Sequence, residues 1–340
     1  MKVYLTASER AYILGLARAA VEAHLVASAS ARARARRTGI EGGGRGVRRL
    51  RGPVRWFGGK GRMLSKIVPI LESIPHRRYC EPFGGGAHIL IAKHPVEVET
   101  YNDIDRGLAD FFRVLASPET FERFYRRVAL LPYSRAIWQE YNDTWAEQTD
   151  MVERAARWFV WVSQGFSGRA AGWSSAVTAS AGGITQTCAA WLSRIARLPE
   201  IHARLQRVQI ECADWRVILE RYDTPETLFY CDPPYLHETR SDKRYARELT
   251  TEDHVELLDR LQSIQGMAAV SGYPSDLYSR LDAAGWRRYS WQTVCHAAGH
   301  TRATRILGPG AARRTQPRTE CLWLSPRAKA KSQVVLCEEV

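Results

Sequence analysis

Arg78-Tyr79-Cys80-Glu81-Pro82-Phe83-Gly84-Gly85-Gly86-Ala87-His88-Ile89-Leu90-Ile91-Ala92-Lys93 is the stretch on which the fold turns. Residues 78–83 read as a strand running out into a loop, three glycines form a tight turn, and Ala87 to Lys93 continues as a helix. The same rhythm repeats on both sides. Val96 to Tyr101 is a second strand, ending at Asn102-Asp103-Ile104-Asp105, and Ala109 to Leu115 is a helix. Thr227 to Cys231 is a further strand, ending at Asp232-Pro233-Pro234-Tyr235. Gly266 to Ser271 and Glu320 to Leu324 complete the set. Strands alternating with helices predict an α/β fold, a mainly parallel sheet with helices on both faces. Ligands of such sheets lie beyond the carboxyl ends of the strands, which is where the clusters 81–86, 102–105 and 232–235 all fall.

Between Leu115 and Thr227 the rhythm breaks. Trp138, Trp145, Trp158, Trp161 and Trp173 sit there, with a polar loop at 163–169 and a Ser/Ala/Gly run at 174–183. This predicts an inserted, mainly helical region. Ahead of everything, residues 6–27 have helical periodicity, and an Arg- and Gly-rich run follows that reads as a basic linker. The expected division is therefore residues 1–53 as helix and linker, 54–118 with 222–326 as one α/β domain, 119–221 as the insert, and 327–340 as a tail.

Composition narrows the function classes. The chain has 340 residues, 45% of them hydrophobic and 25% charged, an ordinary globular balance. No apolar run reaches the roughly 18 residues that span a bilayer, so no membrane partner is expected. Seven cysteines without a CxxC pair read as reduced thiols in a cytoplasmic protein, with no disulfide framework and no metal site. The net charge of +13 is concentrated at the ends, with +9 in residues 1–55 and +5 in 302–340. Basic ends of this kind suit phosphate contacts with nucleic acid.

The strand-end clusters suggest a chemistry. Gly84 to Gly86 let the backbone approach a ligand closely, and Asp103 about 20 residues on can accept bonds from a ribose. The pyrophosphate fingerprint G-x-G-x-x-G is not matched, which disfavours a nicotinamide oxidoreductase and favours a nucleoside such as S-adenosylmethionine. In Asp232-Pro233-Pro234-Tyr235 two prolines remove donors and stiffen the chain. What remains is a carboxylate, carbonyl oxygens and a flat ring, a set that holds a planar amine. Accepting both N–H groups of an aromatic amine frees its lone pair for a sulfonium methyl. Ring-carbon methylation of cytosine needs a cysteine nucleophile, usually after a proline, and no Pro-Cys dipeptide is present.

These motifs resemble the Dam-type adenine-specific DNA methyltransferases of the alpha group, phage-borne members included, over about residues 54–326. Arg55-Trp56-Phe57-Gly58-Gly59-Lys60 is similar to the opening cofactor motif, Glu81 to Gly86 to the glycine motif, and 232–235 to the D-P-P-Y motif. The resemblance implies a Rossmann-like S-adenosylmethionine-dependent methyltransferase sheet with an inserted target-recognition region, bacterial or phage-encoded. It also implies transfer of a methyl group to the N6 amine of an adenine flipped out of double-stranded DNA. Trp56 and Lys60 would line the methionine end; Glu81, Phe83 and Gly85 would shape the cofactor turn. Asp103 would take the ribose, and Asp214 the cofactor's adenine amine. Asp232, Pro233, Pro234 and Tyr235 would hold the target base, with Asp232 also bordering the cofactor. Arg135, Phe166 and Arg169 would approach DNA. A monomer is expected, with a cognate restriction enzyme as a conceivable partner.

Two departures stand out. Ala87 replaces a glycine frequent in the family. Phe166-Ser167-Gly168 matches the family's aromatic-Asn-Gly loop only faintly, so recognition of GATC is not carried over. Competing readings are an RNA base-amine methyltransferase and a DNA-binding relative without catalysis. A protein glutamine methyltransferase ranks lower, because Asn usually stands at the Asp232 position there.

Overall fold

The computed structural model describes residues 49–56, 58–166, 172–177, 179, 183–236, 248–294 and 317–330. The helix expected over residues 6–27 and the Arg/Gly-rich run, Arg169, and residues 331–340 of the expected tail lie outside the described residues.

A seven-stranded sheet organises the chain. Its strands are β1 (Arg78–Glu81), β2 (Val98–Asn102), β3 (Val208–Glu211), β4 (Thr227–Cys231), β5 (Met267–Gly272), β6 (Arg287–Val294) and β7 (Pro317–Leu324). They lie in the order β3-β2-β1-β4-β5-β7-β6. The first five run parallel, while β7 is antiparallel to both β5 and β6. β4 and β5 are buried at every position, because a parallel sheet is covered on both faces and its central strands meet no water.

One face is covered by α1 (Leu64–Ser73), α2 (His88–Ala92) and α3 (Arg106–Ala116). The helices α4 (Pro118–Ala129), α5 (Arg135–Thr144), α6 (Met151–Gln164) and α7 (Gln186–Leu205) share the same apolar cluster, in which Ile67, Phe111, Phe124, Trp158 and Leu198 are buried together. The opposite face carries α8 (Trp215–Tyr222), α9 (Thr251–Ser263) and α10 (Asp276–Ala283), packed through Ile218, Leu257, Leu261 and Leu281. The covering thus changes sides between β1 and β4, and a crevice opens beyond their carboxyl ends.

The helical stretch after α3 is anchored by aromatic stacking. Phe111 of α3 lies 5.1 Å from Trp158 and stacks on Phe159 at 5.4 Å. Gly107 makes the approach of α3 and α6 possible, since a Cβ there would stand 2.6 Å from Trp158 Nε1. Trp158 in turn contacts Trp56 at 5.9 Å, so the helical region reaches the segment that precedes α1.

Two strands differ from the sequence reading. β3 and all but the last residue of α8 fall inside the stretch 119–221 expected to be insert, yet β3 pairs with β2 from Glu99↔Val208 to Asn102↔Glu211. Only Val208 of this edge strand is fully buried, so its apolar signal is weak. β6 is the other edge strand, and its run Arg-Arg-Tyr-Ser-Trp-Gln-Thr-Val carries no continuous apolar pattern either.

Candidate active site

The turn after β1 is built by its neighbours. Gly84 N–H donates to Asn102 O at 2.7 Å, and a Cβ at Gly84 would stand 2.3 Å from the ring of Tyr101. Gly85 takes φ +48°, a left-handed conformation that favours glycine, and its carbonyl accepts from Tyr101 Oη at 2.7 Å. Ala87 is also left-handed, at φ 52°. A glycine would adopt that conformation with less strain.

Asp103 locks the turn from β2. Its carboxylate accepts from Gly85 N–H at 2.9 Å and from Asp105 N–H at 2.8 Å. Burial nevertheless pushes its pKa up to about 7, because those two donors only partly offset the lost hydration. Asn102, fully buried, ties three strand ends together: its amide donates to Pro82 O and Ala213 O, and its carbonyl accepts from Ala213 N–H. Asp214 caps α8 by accepting from Arg216 N–H at 2.9 Å. Arg216 then bridges Asp214, Asp253 and Glu256.

Asp232 stands at the end of β4. Lys60 Nζ lies 2.6 Å from one of its carboxylate oxygens and 2.8 Å from the other, although the two residues are 172 apart in sequence. Burial raises the Asp232 pKa, and the Lys60 ammonium opposes that rise. Tyr235 places its ring 4.8 Å from the same ammonium and packs edge-on against Tyr273 at 4.6 Å. Its hydroxyl donates to Glu320 of β7. Glu81, at the end of β1, is buried and accepts from Tyr79 Oη at 2.8 Å; burial pushes its pKa up to about 8.

One cavity of about 340 Å³ joins these groups. Trp56, Lys60, Glu81, Phe83, Gly85, Asp103, Asp214 and Asp232 all line it, together with Pro234. The eight residues expected to surround the cofactor therefore share one space. Pro233 and Tyr235 are not among its lining residues, and Tyr235 lies on the side of Tyr273. No group of three or more metal-ligating side chains occurs among the described residues, and no described helix is long and apolar enough to cross a membrane.

A family profile described as D12 class N6 adenine-specific DNA methyltransferase matches residues 56–279. The chain belongs to this family. It is an S-adenosylmethionine-dependent, adenine-specific DNA methyltransferase with a Rossmann-like sheet, as the resemblance in its motifs implied. No curated protein matches the chain. Members of the D12 family act on DNA and in general draw the methyl group from S-adenosylmethionine.

The residues expected at DNA lie elsewhere. Arg135 opens α5 and stacks on Trp173 at 4.8 Å, away from the cavity. Phe166 is 45% exposed, and its N–H donates to Gly172 O. Ser163 and Gln164, expected in a polar loop, instead end α6 and are buried. Gln164 uses its amide to hold Pro132 O and Ser134 N–H, so it has no free edge for a base. Part of the basic charge expected on phosphate is also used internally: Arg49 pairs with Glu72, and Arg327 donates to Ile264 O.

Sequence reasoning missed Asn102 as a tie, and it missed Glu320, Arg216, His88 and Tyr273. Glu320 had a signal: it is the one charged residue in the run 319–324, buried at 7% exposure. His88 fills the space left by Gly52, Gly59 and Gly86, and its Nδ1 is buried without a partner. Burial and the Lys60 charge push its pKa down to about 4.

Proposed function

We propose that the cavity binds S-adenosylmethionine along the β1–β4 crevice and presents its methyl group to an adenine held at Asp232. The observation that carries this reading is that Asp232 opens into the same space as the Gly85–Asp103 turn. The site fits the nucleoside. About 340 Å³ is within the range of small-molecule pockets, and the left-handed Gly85 lies against Trp56 so closely that a Cβ would stand 2.9 Å from the indole. Asp103 is the group for the ribose hydroxyls, with lone pairs left over after its two backbone bonds. Asp214 is the group for the purine amine, while Phe83 and Ile104 give apolar walls. Trp56 and Lys60 border the methionine end.

The bound cofactor supplies an electrophilic methyl on a sulfonium. The rest of the work belongs to the chain. Adenine N6 is a weak nucleophile because its lone pair is delocalised into the ring. Asp232 and a carbonyl of the Pro233-Pro234 corner accept its two N–H groups and draw the nitrogen toward tetrahedral geometry. Tyr235 offers a face on which the base stacks. A base inside a duplex cannot reach this corner, so the adenine leaves the helix at a cost of a few kcal/mol. The helical region between β2 and β3, with Arg135 and Phe166, contacts the duplex. Arg169, in the same part of the chain, belongs to this proposal by sequence alone.

Methylation-sensitive sequencing of DNA from cells expressing the chain, beside an Asp232→Ala control, tests the reading. N6-methyladenine at defined sites is expected with the unsubstituted chain and none with Asp232→Ala. The variant should keep cofactor affinity within about tenfold, roughly 1.4 kcal/mol. A variant that still methylates would refute the assignment.

A further inference from the structure

In the structure Asp232 is already engaged. Lys60 Nζ meets both of its oxygens, at 2.6 and 2.8 Å, so an amine that docks there competes with an ammonium for the same carboxylate. A second carboxylate waits beside that ammonium. Glu320 Oε1 is 3.5 Å from Lys60 Nζ and also accepts from Tyr235 Oη. One cation, two carboxylates and one phenol thus meet at the edge of the cavity, with Lys60 at 6% and Glu320 at 7% exposure.

We propose that Glu320 is a positioning residue for methyl transfer, which takes the Lys60 ammonium over from Asp232 as the target amine docks on the Asp232 carboxylate. The proposal deepens the reading of Asp232 given above and rests on it. The move is short, because closing 3.5 Å to an ordinary charged hydrogen bond takes less than about 1 Å. It keeps the ammonium paired throughout, which matters in a site this dry, where an unpaired charge is costly. The same carboxylate fixes the Tyr235 hydroxyl, so release of Asp232 and placement of the stacking ring are coupled. Packing alone gives no reason for a carboxylate here: the residues that follow it on β7, Cys321, Leu322, Trp323 and Leu324, are all buried and apolar or nearly so.

The pair does not titrate alone. Lys60 from the segment before α1, Glu81 at the end of β1, Tyr230 on β4, Tyr235, and Tyr278 on α10 all face it. Burial raises the pKa of both carboxylates and Lys60 lowers both. Glutamine at position 320 removes one negative charge and leaves Lys60 with Asp232 as its charged partner.

The test compares Glu320→Gln, Glu320→Asp and Tyr235→Phe with the unsubstituted chain. Labelled methyl transfer to unmethylated genomic DNA is followed between pH 5.5 and 9 (roughly the range in which carboxylates raised by burial titrate), with cofactor binding measured by calorimetry as a check on folding. Glu320→Gln is expected to lower kcat at least tenfold and to keep cofactor affinity within about threefold. It should also move the acid limb of kcat/KM to lower pH, since Asp232 ionises more readily once the neighbouring negative charge is gone. Glu320→Asp keeps the charge and should recover part of the rate and the original limb. Tyr235→Phe should slow transfer without moving the limb. The proposal is overturned if Glu320→Gln matches the unsubstituted rate and profile, or if Tyr235→Phe reproduces both of its effects, for then Glu320 only anchors the phenol. It is also overturned if Glu320→Asp shows no recovery. An unsubstituted chain that binds cofactor but methylates no adenine would instead overturn the reading of Asp232, and this proposal with it.

Discussion

Replacing Asp103 by asparagine isolates the electrostatics of the turn proposed to hold the cofactor. The carboxyl has a pKa of about 7, raised by burial against the pull of Gly85 N–H and Asp105 N–H. Ribose hydroxyls donate to the ionised form more strongly than to the acid. Cofactor affinity should therefore rise with pH through 7. With a pKa near 7, about a tenth of the sites are ionised at pH 6 and about nine tenths at pH 8, so Kd should fall about tenfold across that span. Binding at pH 7 should release up to about half a proton, visible as a buffer-dependent enthalpy. Asparagine removes the titration and turns one acceptor into a donor that faces a backbone N–H. The cost is about 1–3 kcal/mol, or roughly 5- to 150-fold in Kd at pH 8, and less at pH 6. Glu81, with a pKa of about 8, and Asp105 and Asp232, both raised by burial, line the same cavity, so a slope that persists in Asp103→Asn belongs to one of these carboxyls. Calorimetric titration with S-adenosylmethionine at pH 6, 7 and 8 decides it. A flat profile in the unsubstituted chain, or full affinity in the variant, refutes the role given to Asp103.

Further outcomes follow from the same geometry. Glu81 is a carboxyl with its folded pKa raised above the unfolded value, so its contribution to stability is complete below about pH 4.5 and is lost as pH rises through about 8. Glu81→Gln should therefore flatten the fall in melting temperature between pH 6 and 9, measured without cofactor. Gly84→Ala puts a methyl 2.3 Å from the fully buried Tyr101 ring and should cost about 1–3 kcal/mol in chemical denaturation, with loss of cofactor binding. Arg135→Ala removes a cation that does not border the cavity; duplex affinity should weaken and its log–log salt slope drop by about one, with cofactor Kd unchanged.

How much was legible depended on whether the signal was local. The glycine turn, Asp103 and the Asp232–Tyr235 corner are short motifs at strand ends, where backbone chemistry restricts the choice of residue. The apolar runs announce a mainly parallel sheet, and the order β2, β1, β4 that brings these ends together comes from the folded chain. β3 and β6 escaped notice because edge strands bury little and need no continuous apolar run. Asp214 shows both sides at once: it caps α8 by accepting from Arg216 N–H, and it still borders the cavity.

By itself the sequence determined the α/β class, the glycine turn after β1 and the stiff Asp232–Tyr235 corner. These are properties of a few neighbouring residues: missing N–H groups at prolines, positive φ at glycine, carboxylates after buried strands. The folded chain alone decided what surrounds Asp232. Lys60 arrives from 172 residues upstream and Glu320 from a strand that enters the sheet antiparallel, two places beyond β4. No periodicity encodes such a meeting. It arises because the sheet order brings distant strand ends to one crevice, where charges removed from water must find each other.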